Sequence, residues 1–565
     1  MSGAARIAII AGLAAAPFLF LGLGSAPFDD PGEGMHAQIA RELRAGGDPL
    51  ALSLAGVRYV DKPPLLYALV AGAFVIGGER EAAARAVSAL AAVSAVAATA
   101  WLGARLLGGP WGLLAGGALL TSSGFFAYGR YVRPDALFVA ALAAGFALAL
   151  AGVMDDRRAL VVAGFGAFGL AGLAKDPLGA IAPPLAIGAA LTLGGRARPV
   201  ARWLPPAGVA LATALAFGWW ALAEARTPGY AWYTVVDNHV LNVARARQFP
   251  DEDVPLGALE FLLIAALGAA PWALAAAAAV TRLVRRRAWR DPREAPWVVL
   301  ALWAVGVVGL TALSSFRLPH YGLPAYPAIA LLAARGWRDA SHRALAVGHA
   351  LAFAVLAAAC GLAASGGGAA FTRHVMSATD VATRKAAEVG QVSALPWDTL
   401  WILLVATAVI TGAGALALAA APRAPVAPAA VLAAMLGLLP CVGIGLTVVS
   451  SHRAAQGIAR EVGRRAVADD IVLHEGPLEN SGALEWYSGR RPEIVDGRRS
   501  VLAFGATLPG AGERFWEPSR LRAAWAGERR VWVVTTRSPE RSVAAGLPGA
   551  RLAAAEGGRW LWVNH

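Results

Sequence analysis

The stretch "GVRYVDKPPLLYALVAGAFVIGGERE", residues 56–81, sets an acid and a base, Asp61 and Lys62, directly before two prolines and an apolar run. The run, residues 65–76, has twelve residues before two glycines. As a helix it would be about 18 Å long, whereas the hydrocarbon core of a bilayer is about 30 Å thick. A run of this length is typical of a re-entrant or interfacial helix, so we predict that it does not cross the membrane.

The composition is that of an integral membrane protein. Of 565 residues, 57% are hydrophobic and 15% charged, and the mean hydropathy is +0.55, which excludes a disordered chain. The net charge of +13 could suggest nucleic acid, but the arginines cluster between apolar runs, where they set membrane topology. We therefore expect a lipid bilayer, and no nucleic acid, as partner. Cys360 and Cys441 both lie in apolar runs, so no disulfide framework is expected.

Thirteen longer apolar runs are predicted to span the bilayer. They lie near residues 5–24, 84–107, 111–128, 135–153, 158–174, 177–194, 204–223, 257–281, 295–314, 321–336, 343–365, 398–421 and 428–450. With the N-terminus inside and residues 65–76 not counted, arginine-rich connections such as "RLVRRRAWR" (282–290) fall in the cytoplasm, as the positive-inside rule requires. Counting the short run as a span would move the later clusters outside. Residues 25–83 are therefore expected to form one long extracytoplasmic loop.

The chain is expected to have two domains. Residues 1–450 form an α-helical membrane domain of about 13 transmembrane helices. Residues 451–565 have no span and alternate helical stretches with strand-like runs such as "IVLHE" (471–475) and "RVWVVTT" (530–536), which indicates a small α/β domain. Thirteen spans from an inside N-terminus place this domain outside, where we expect it to cover or frame the functional site.

Basic residues on the outer connections suggest a phosphate site. Only three of the 50 basic residues are lysine, Lys62, Lys175 and Lys385, in a chain that otherwise uses arginine. A compact, rotatable ammonium differs from a planar guanidinium, so two lysines on outer connections suggest a specific role. The cationic pocket predicted to hold one phosphate or pyrophosphate comprises Lys62, Arg130, Arg133, Lys175 and Arg317. Because nucleotide sugars and ATP are not expected outside the cytoplasm, the phosphate is expected to belong to a lipid.

Carboxylates and histidines share this face. Asp30 and Glu33, on the bent loop "DDPGEG" (29–34), are candidate general bases or metal ligands, although the motif alone could be a plain turn. Asp61 with His239 is a candidate pair for a divalent cation, although the histidine could equally be an interfacial hydrogen-bonding residue. Tyr321, beside His320, could be an anchor in the aromatic belt rather than a ligand.

Five segments, in this order, carry a family resemblance: "EGMHAQIARELRAGGD" (33–48), "GVRYVDKPPLLYAL" (56–69), "RPDALFVA" (133–140), "LAKDPLG" (173–179) and "RLPHYGLPAYPAIALL" (317–332). Together they resemble the bacterial lipid-to-acceptor glycosyltransferases of the GT-C superfamily, in particular the aminoarabinose transferases of lipid A (the ArnT type), with protein O-mannosyltransferases as more distant relatives. The resemblance covers essentially the whole chain.

This resemblance implies an enzyme that moves a sugar from an undecaprenyl-phosphate carrier to an acceptor, with inversion at the anomeric carbon. The acceptor would be a lipid A-like glycolipid, another envelope glycan or a protein, and the site would face the periplasm or cell exterior from the bacterial cytoplasmic membrane. The positions that match the family motifs are Tyr59, Asp61, Lys62, Asp135, Lys175, His239 and Tyr321. Of these, Lys62, Lys175 and Tyr321, with Arg130 and Arg317, are expected to bind the donor phosphate, and Tyr59, Asp61, Arg133, Asp135 and His36 to support it.

The first loop departs from the family pattern. Gly32 stands where the resemblance places a catalytic aspartate, Met35 where it places an arginine, and His36 where it places a tyrosine; Asp176 replaces a glycine. We expect Asp30 and Glu33 to share the role of base, because the loop stays acidic. The arginine's absence weakens any inference that the sugar is aminoarabinose.

Two other functions remain open from the sequence. A transporter or flippase of a sugar lipid would usually show inverted repeats and charges near the middle of the membrane, whereas this chain has no visible repeat and its charges lie on one face. A non-catalytic scaffold presenting the C-terminal domain would not need clustered outer lysines and carboxylates.

Overall fold

Each of the thirteen long apolar runs forms a helix or a pair of helices. The computed structural model describes residues 2–195, 200–242, 244–250, 255–340, 342–371, 395–422 and 426–565, so Lys385 lies outside the described residues. The α-helices of the membrane domain are Gly3–Phe20, Glu33–Arg44, Leu65–Gly77, Glu81–Leu107, Gly109–Thr121, Ser123–Tyr128, Pro134–Met154, Arg158–Ala174, Leu178–Leu193, Val200–Trp203, Pro206–Arg226, Ala258–Gly268, Trp272–Arg285, Ala295–Leu313, Tyr326–Asp339, His342–Ser365, Trp397–Ala420 and Ala427–Arg453. A π-helix, Trp232–Leu241, and the 3-10 helices Ala288–Arg290, Pro292–Glu294 and Pro319–Ala325 connect them.

The chain is a multi-pass membrane protein, as predicted. Within the described ranges, eight helices are long and apolar enough to cross a membrane, and nine if the pair Ala258–Gly268 and Trp272–Arg285, bent by 104°, counts as one span. The remaining four runs form helices of 13 to 17 residues: Gly109–Thr121, Arg158–Ala174, Leu178–Leu193 and Tyr326–Asp339. The expected thirteen crossings therefore stay a prediction, because helices this short need not reach both surfaces.

The short run of the opening stretch is a helix, Leu65–Gly77, that begins directly after Pro63 and Pro64. Proline suits the start of a helix, because the first N–H groups of a helix have no internal partner. One face of the helix packs in the same buried cluster as residues of Glu33–Arg44. At its other end Val75 and Ile76 are 71% and 92% exposed. An apolar helix of 13 residues with a buried face and an exposed apolar end fits the predicted interfacial position.

The C-terminal segment forms the predicted α/β domain. The first loop contributes a small hairpin, β1 (Ser53–Leu54) and β2 (Val57–Arg58), and the C-terminal sheet consists of β3 (Ile471–Glu475), β4 (Glu493–Val495), β5 (Phe515–Trp516), β6 (Val531–Thr535), β7 (Arg551–Glu556) and β8 (Arg559–Val563). Its strand order is β5-β4-β3-β6-β8-β7. The first four strands in that order are parallel, and β8 and β7 are antiparallel additions. The α-helices of this domain are Gln456–Arg465, Gly482–Ser488 and Pro518–Trp525, and the 3-10 helices are Leu478–Ser481, Ser500–Leu502, Gly505–Thr507, Gly512–Arg514 and Pro539–Arg541.

The C-terminal domain packs directly on the first loop. The helices Glu33–Arg44 and Gly482–Ser488 approach so closely that a Cβ on Gly482 would lie 2.5 Å from the backbone N of Met35. The hydroxyl of Tyr487 accepts from the backbone N–H of Phe28 at 2.7 Å. Glycine is required at 482 because any side chain there would collide with backbone. The C-terminal domain therefore contacts the first loop directly, and its expected role of covering or framing the functional site stays a prediction.

Candidate active site

Two antiparallel helices bring the outer lysine and an aspartate together. Asp135 lies in the first turn of Pro134–Met154, and Lys175 follows the last residue of Arg158–Ala174. An acid is favourable at a helix N-terminus and a base at a C-terminus. The pair packs closely because glycines line the contact; a Cβ on Gly152 would lie 2.7 Å from the backbone N of Val161. The start of one helix and the end of the other therefore meet.

The resulting cluster is centred on Asp135, which is 2% exposed. Lys175 donates to Asp135 at 2.5 Å, and Nε of Arg133 lies 3.5 Å from its other oxygen. Arg133 also donates to Nε2 of His320 at 3.3 Å. The ammonium of Lys175 lies 5.3 Å from the centre of the Tyr321 ring. Three separate connections, around residues 133–135, 175 and 320–321, therefore converge, as the sequence predicts.

The first loop reaches the same cluster through Lys62. Lys62 forms an ion pair with Asp61 at 2.5 Å. Burial lowers the pKa of His36 to about 3, and the nearby charges of Arg133 and Lys62 contribute to that shift. His36 is therefore neutral, and its Nδ1 lies 2.9 Å from the hydroxyl of Tyr67. The ring of Tyr67 packs edge-on against Tyr59 at 5.7 Å, so two of the expected supporting residues, His36 and Tyr59, lie in one buried layer with Tyr67.

Two arginines predicted to bind phosphate do not join this cluster. Arg130 donates to the backbone oxygens of Phe18 and Leu21, both at 2.7 Å, where the first helix ends. Arg317 donates to the backbone oxygens of Leu256 at 2.7 Å and of Ser314. Both guanidinium groups satisfy carbonyls at chain turns, because such carbonyls at membrane depth need donors. The structure therefore corrects the predicted pocket: Arg133 belongs to it, and Arg130 and Arg317 lie elsewhere.

Glu33 is held in a buried ion pair. Arg85 donates from Nε to its Oε1 at 2.7 Å and from Nη2 to its Oε2, and the backbone N–H of Val132 donates to Oε1 at 2.9 Å. The side chains of Glu33 and Arg85 are 2% and 6% exposed. Both carboxylate oxygens are thus engaged away from solvent, so the structure does not support Glu33 as a general base.

Asp30 faces the C-terminal domain. Its Oδ1 accepts from the backbone N–H of Ala483 at 2.9 Å, and its Oδ2 lies 3.8 Å from Arg559. Its side chain is fully buried. Burial raises the pKa of Asp30 to about 7, although Arg559 and the Ala483 hydrogen bond oppose the shift. Asp30 and Glu33 therefore point to different partners and do not form the shared base expected from the sequence.

Protonation of Asp30 is expected to stabilise the contact between the domains. Because the folded-state pKa lies above the usual value of 3.8, the folded state binds more protons than the unfolded state between these values, so stability falls as pH rises from about 4 to about 7. Between about pH 5 and about pH 8 we expect a loss on the order of 2 kcal/mol in the free energy of unfolding. Thermal unfolding of the wild type and Asp30→Asn at both pH values measures it, and the loss should be smaller in the variant. An equal pH dependence in both proteins would contradict this assignment.

The structure does not support a metal site at Asp61 and His239. Nδ1 of His239 lies 2.6 Å from the backbone oxygen of Thr234, and Nε2 lies 3.1 Å from the carboxylate of Asp176. The Asp176 hydrogen bond raises the pKa of His239. Both ring nitrogens are thus within hydrogen-bonding distance of other partners, so the arrangement is that of a hydrogen-bonded histidine rather than of a metal ligand. No group of three or more histidine, cysteine, aspartate or glutamate residues suited to a metal occurs in the part of the chain that the structure describes. A divalent cation stays a prediction.

The sequence reading missed Arg85 and Tyr131. Arg85 lies in a predicted span, where an ionised residue is costly unless it is paired, so its position alone indicated a buried partner. Tyr131 donates its hydroxyl to Oδ1 of Asp29. No sequence signal marked this contact, because the two residues lie 102 positions apart.

Comparisons with known proteins support the resemblance. A family model described as "Dolichyl-phosphate-mannose-protein mannosyltransferase" matches residues 61–220. The undecaprenyl phosphate-alpha-4-amino-4-deoxy-L-arabinose arabinosyl transferase of Pseudomonas aeruginosa (strain LESB58) is 30% identical over 312 residues, 54% of each chain. The Aeromonas salmonicida transferase of the same name is 26% identical over 330 residues, 56% of this chain and 57% of its own. The chain therefore spans about half the length of the curated relatives it matches.

The similarity of fold extends over the whole chain. The crystal structure of ArnT from Cupriavidus metallidurans bound to undecaprenyl phosphate matches with a TM-score of 0.77 and 21% identity, covering 99% of this chain and 98% of that one. The apo structure of the same protein matches with a TM-score of 0.78 and 21% identity, covering 100% and 99%. The expected fold, a helical membrane domain followed by a small C-terminal α/β domain, is thus confirmed.

Proposed function

We propose that this protein is a membrane glycosyltransferase that moves a sugar from a polyprenyl-phosphate carrier to an acceptor, with inversion. The observation that carries the proposal is the pairing of Arg133 and Lys175 with the buried carboxylate of Asp135, with Lys62 close enough to Lys175 for their charges to interact. The names of the relatives, which state an undecaprenyl-phosphate sugar, support it.

The charges of the cluster suit a phosphate leaving group. Three cations, Lys62, Arg133 and Lys175, stand with two carboxylates, Asp61 and Asp135, which leaves a surplus of one positive charge. A sugar phosphodiester carries about one negative charge, and the departing monoester carries up to about two. The positive surplus therefore favours the state in which charge develops on the phosphate, which is how fixed cations accelerate such a step. Asp135 holds Lys175 and Arg133 in place.

The outer face of the bacterial cytoplasmic membrane is the proposed location of the reaction. The arginine-rich connections that would lie in the cytoplasm support this orientation. The proposed acceptor is a lipid A-like glycolipid, another envelope glycan or a protein. The sugar is proposed only as one carried by a polyprenyl phosphate, because Met35 and His36 replace the arginine and tyrosine that the resemblance associates with aminoarabinose transferases.

Substituting Lys62 tests the donor site. In vesicles loaded with a polyprenyl-phosphate sugar, Lys62→Ala is expected to raise the KM for the lipid donor about tenfold, because a charge-assisted contact with phosphate is lost. Arg44→Ala is the matched control, since Arg44 is an exposed base on the same loop whose partner is Glu79. Unchanged KM in Lys62→Ala would contradict the proposed donor site. Movement of the lipid across the bilayer without any new glycosidic bond would instead identify a flippase.

A further inference from the structure

The space beside Gly32 is filled by a tyrosine hydroxyl. A Cβ built on Gly32 would overlap the hydroxyl oxygen of Tyr131 and lie 2.9 Å from its Cζ. The backbone φ at Gly32 is −63° and ψ is −87°, so φ lies outside the left-handed region that favours glycine. Glycine is needed because Tyr131 already occupies the position of a side chain at 32, which is where the resemblance places a catalytic aspartate.

Tyr131 binds the carboxylate of Asp29 at the space beside Gly32. Its hydroxyl donates to Oδ1 of Asp29, and the backbone N–H of Glu33 donates to the same oxygen at 3.3 Å. Burial raises the pKa of Tyr131 well above its usual range, so the hydroxyl keeps its proton and remains a donor. Asp29 is thus fixed through one oxygen only. Its Oδ2 makes no hydrogen bond or ion pair with the residues that the structure describes.

Asp29 is more accessible than the two neighbouring acids, Asp30 and Glu33. Asp30 and Glu33 are buried, whereas Asp29 is half-buried. Asp30 is hydrogen-bonded to the C-terminal domain, and Glu33 is paired with Arg85. Among the acids of "DDPGE" (29–33), Asp29 is therefore the one with an accessible oxygen. A base must be able to reach the proton it takes, and only Asp29 meets this condition.

The same turn connects Asp29 to the cations. The backbone N–H of Arg133 donates to the backbone oxygen of Tyr131 at 2.9 Å, so Tyr131, which binds Asp29, and Arg133, which pairs with Asp135, belong to one short turn. Between them stand the rings of Tyr131 and Tyr128, with centres 6.2 Å apart, and of Tyr128 and His320, 5.6 Å apart. A series of aromatic contacts thus connects the carboxylate of Asp29 with the proposed phosphate site.

We propose that Asp29, held by Tyr131 in the space beside Gly32, is the base that takes the proton of the acceptor hydroxyl; the inference rests on the proposed function. The proton moves to Oδ2 of Asp29 as the acceptor oxygen bonds to the anomeric carbon. The bond from that carbon to the phosphate oxygen breaks, and its electron pair stays on the departing polyprenyl phosphate. Tyr131 is a positioning residue, since it acts through Asp29.

The first test is Asp29→Asn in the full chain in lipid nanodiscs. We expect kcat to fall about 100-fold or more, the size usual for loss of a general base, while binding of polyprenyl phosphate stays within about threefold of the wild type. Glu79→Gln, an exposed acid outside the site, is the matched control and should be fully active. A kcat for Asp29→Asn within about threefold of the wild type would overturn the inference.

Relocating the carboxylate provides a second test. Asp29→Asn with Tyr131→Ala and Gly32→Asp opens the occupied space and returns an acid to residue 32, and it should recover about tenfold or more of the lost kcat. Asp29→Asn with Tyr131→Ala alone should stay inactive. Equal kcat in the triple and the double variant would contradict the assignment of Asp29 as the base. This comparison holds even if Asp29→Asn alone folds poorly.

Tyr131→Phe tests whether Tyr131 positions Asp29 through its hydroxyl or only fills space with its ring. The ring remains but the hydrogen bond to Asp29 is lost, so the carboxylate is no longer held in place. We therefore expect kcat to fall about tenfold while the KM for the lipid donor stays within about threefold of the wild type, a split that a general loss of packing would not produce. An unchanged kcat would exclude Tyr131 from this role. A wild type that binds polyprenyl phosphate but transfers no sugar would instead refute the proposed function, and the inference with it.

Discussion

Lys175→Ala is expected to lower kcat about 100-fold or more, the largest effect on transfer among the cations. Lys175 is bound to Asp135, whose side chain is 2% exposed. Its removal takes away a fixed cation aimed at the developing charge, and loss of one such group usually costs about 10²–10³ in kcat. It also leaves Asp135 with Arg133 alone, at 3.5 Å. Initial rates with a polyprenyl-phosphate sugar would measure kcat and KM separately.

A double variant distinguishes catalysis from stability. Asp135→Asn with Lys175→Met removes both charges, so it should recover much of the thermal stability lost in Lys175→Ala, because no buried charge is left unpaired. It should not recover kcat. Lys175→Arg keeps the charge but replaces a compact ammonium with a larger, planar guanidinium, so we expect partial activity. Wild-type kcat in Lys175→Ala would contradict the role of the cluster.

The convergence of outer charges was predictable because topology places the ends of alternate helices on one face. Lys175 and Asp135 stand at such ends, and the positive-inside rule predicts that both lie on the same side of the membrane. Arg130 and Arg133 stand three residues apart in the same connection, yet only Arg133 joins the cluster. The direction of the Arg130 guanidinium depends on carbonyls of Phe18 and Leu21, more than 100 residues away. Sequence spacing carries no information about such a contact.

The first loop shows even more clearly that sequence spacing does not reveal contacts between residues far apart in the chain. Two of its acids, Asp30 and Glu33, were predicted to be functional because they lie on a bent, acidic loop near outer cations, whereas Asp29 was not among the candidates. Which acid is accessible depends on partners 102, 453 and 52 residues away. The space beside Gly32 is visible only in three dimensions, since the sequence shows a glycine but not the hydroxyl that requires it. The fold was therefore predictable in class, and the identity of the base was not.

The largest expected loss of stability follows from Arg85→Leu. Arg85 is 5% exposed, pairs with Glu33, and donates to the backbone oxygens of Leu23 at 2.6 Å and Ala26 at 2.7 Å. Its removal leaves the buried carboxylate of Glu33 with only the backbone N–H of Val132 as donor, and takes the arginine donor from the two carbonyls. Breaking one partner of a buried pair usually costs about 3–5 kcal/mol in the free energy of unfolding. Thermal unfolding in detergent, followed by tryptophan fluorescence, measures it.

The double variant Arg85→Leu with Glu33→Leu identifies the source of that loss. If the unpaired carboxylate is the main cost, removing it too should recover about half or more of the stability. The stability of Arg85→Lys should lie between those of the wild type and Arg85→Leu. An ammonium can pair with Glu33 but lacks the planar guanidinium that also reaches Leu23 and Ala26. Since Glu33 shares its turn with Asp29, each variant should also lose kcat in proportion to its disturbance of the loop. Full stability in Arg85→Leu would show that the buried pair does not organise the first loop, and the placement of Asp29 would then need another cause.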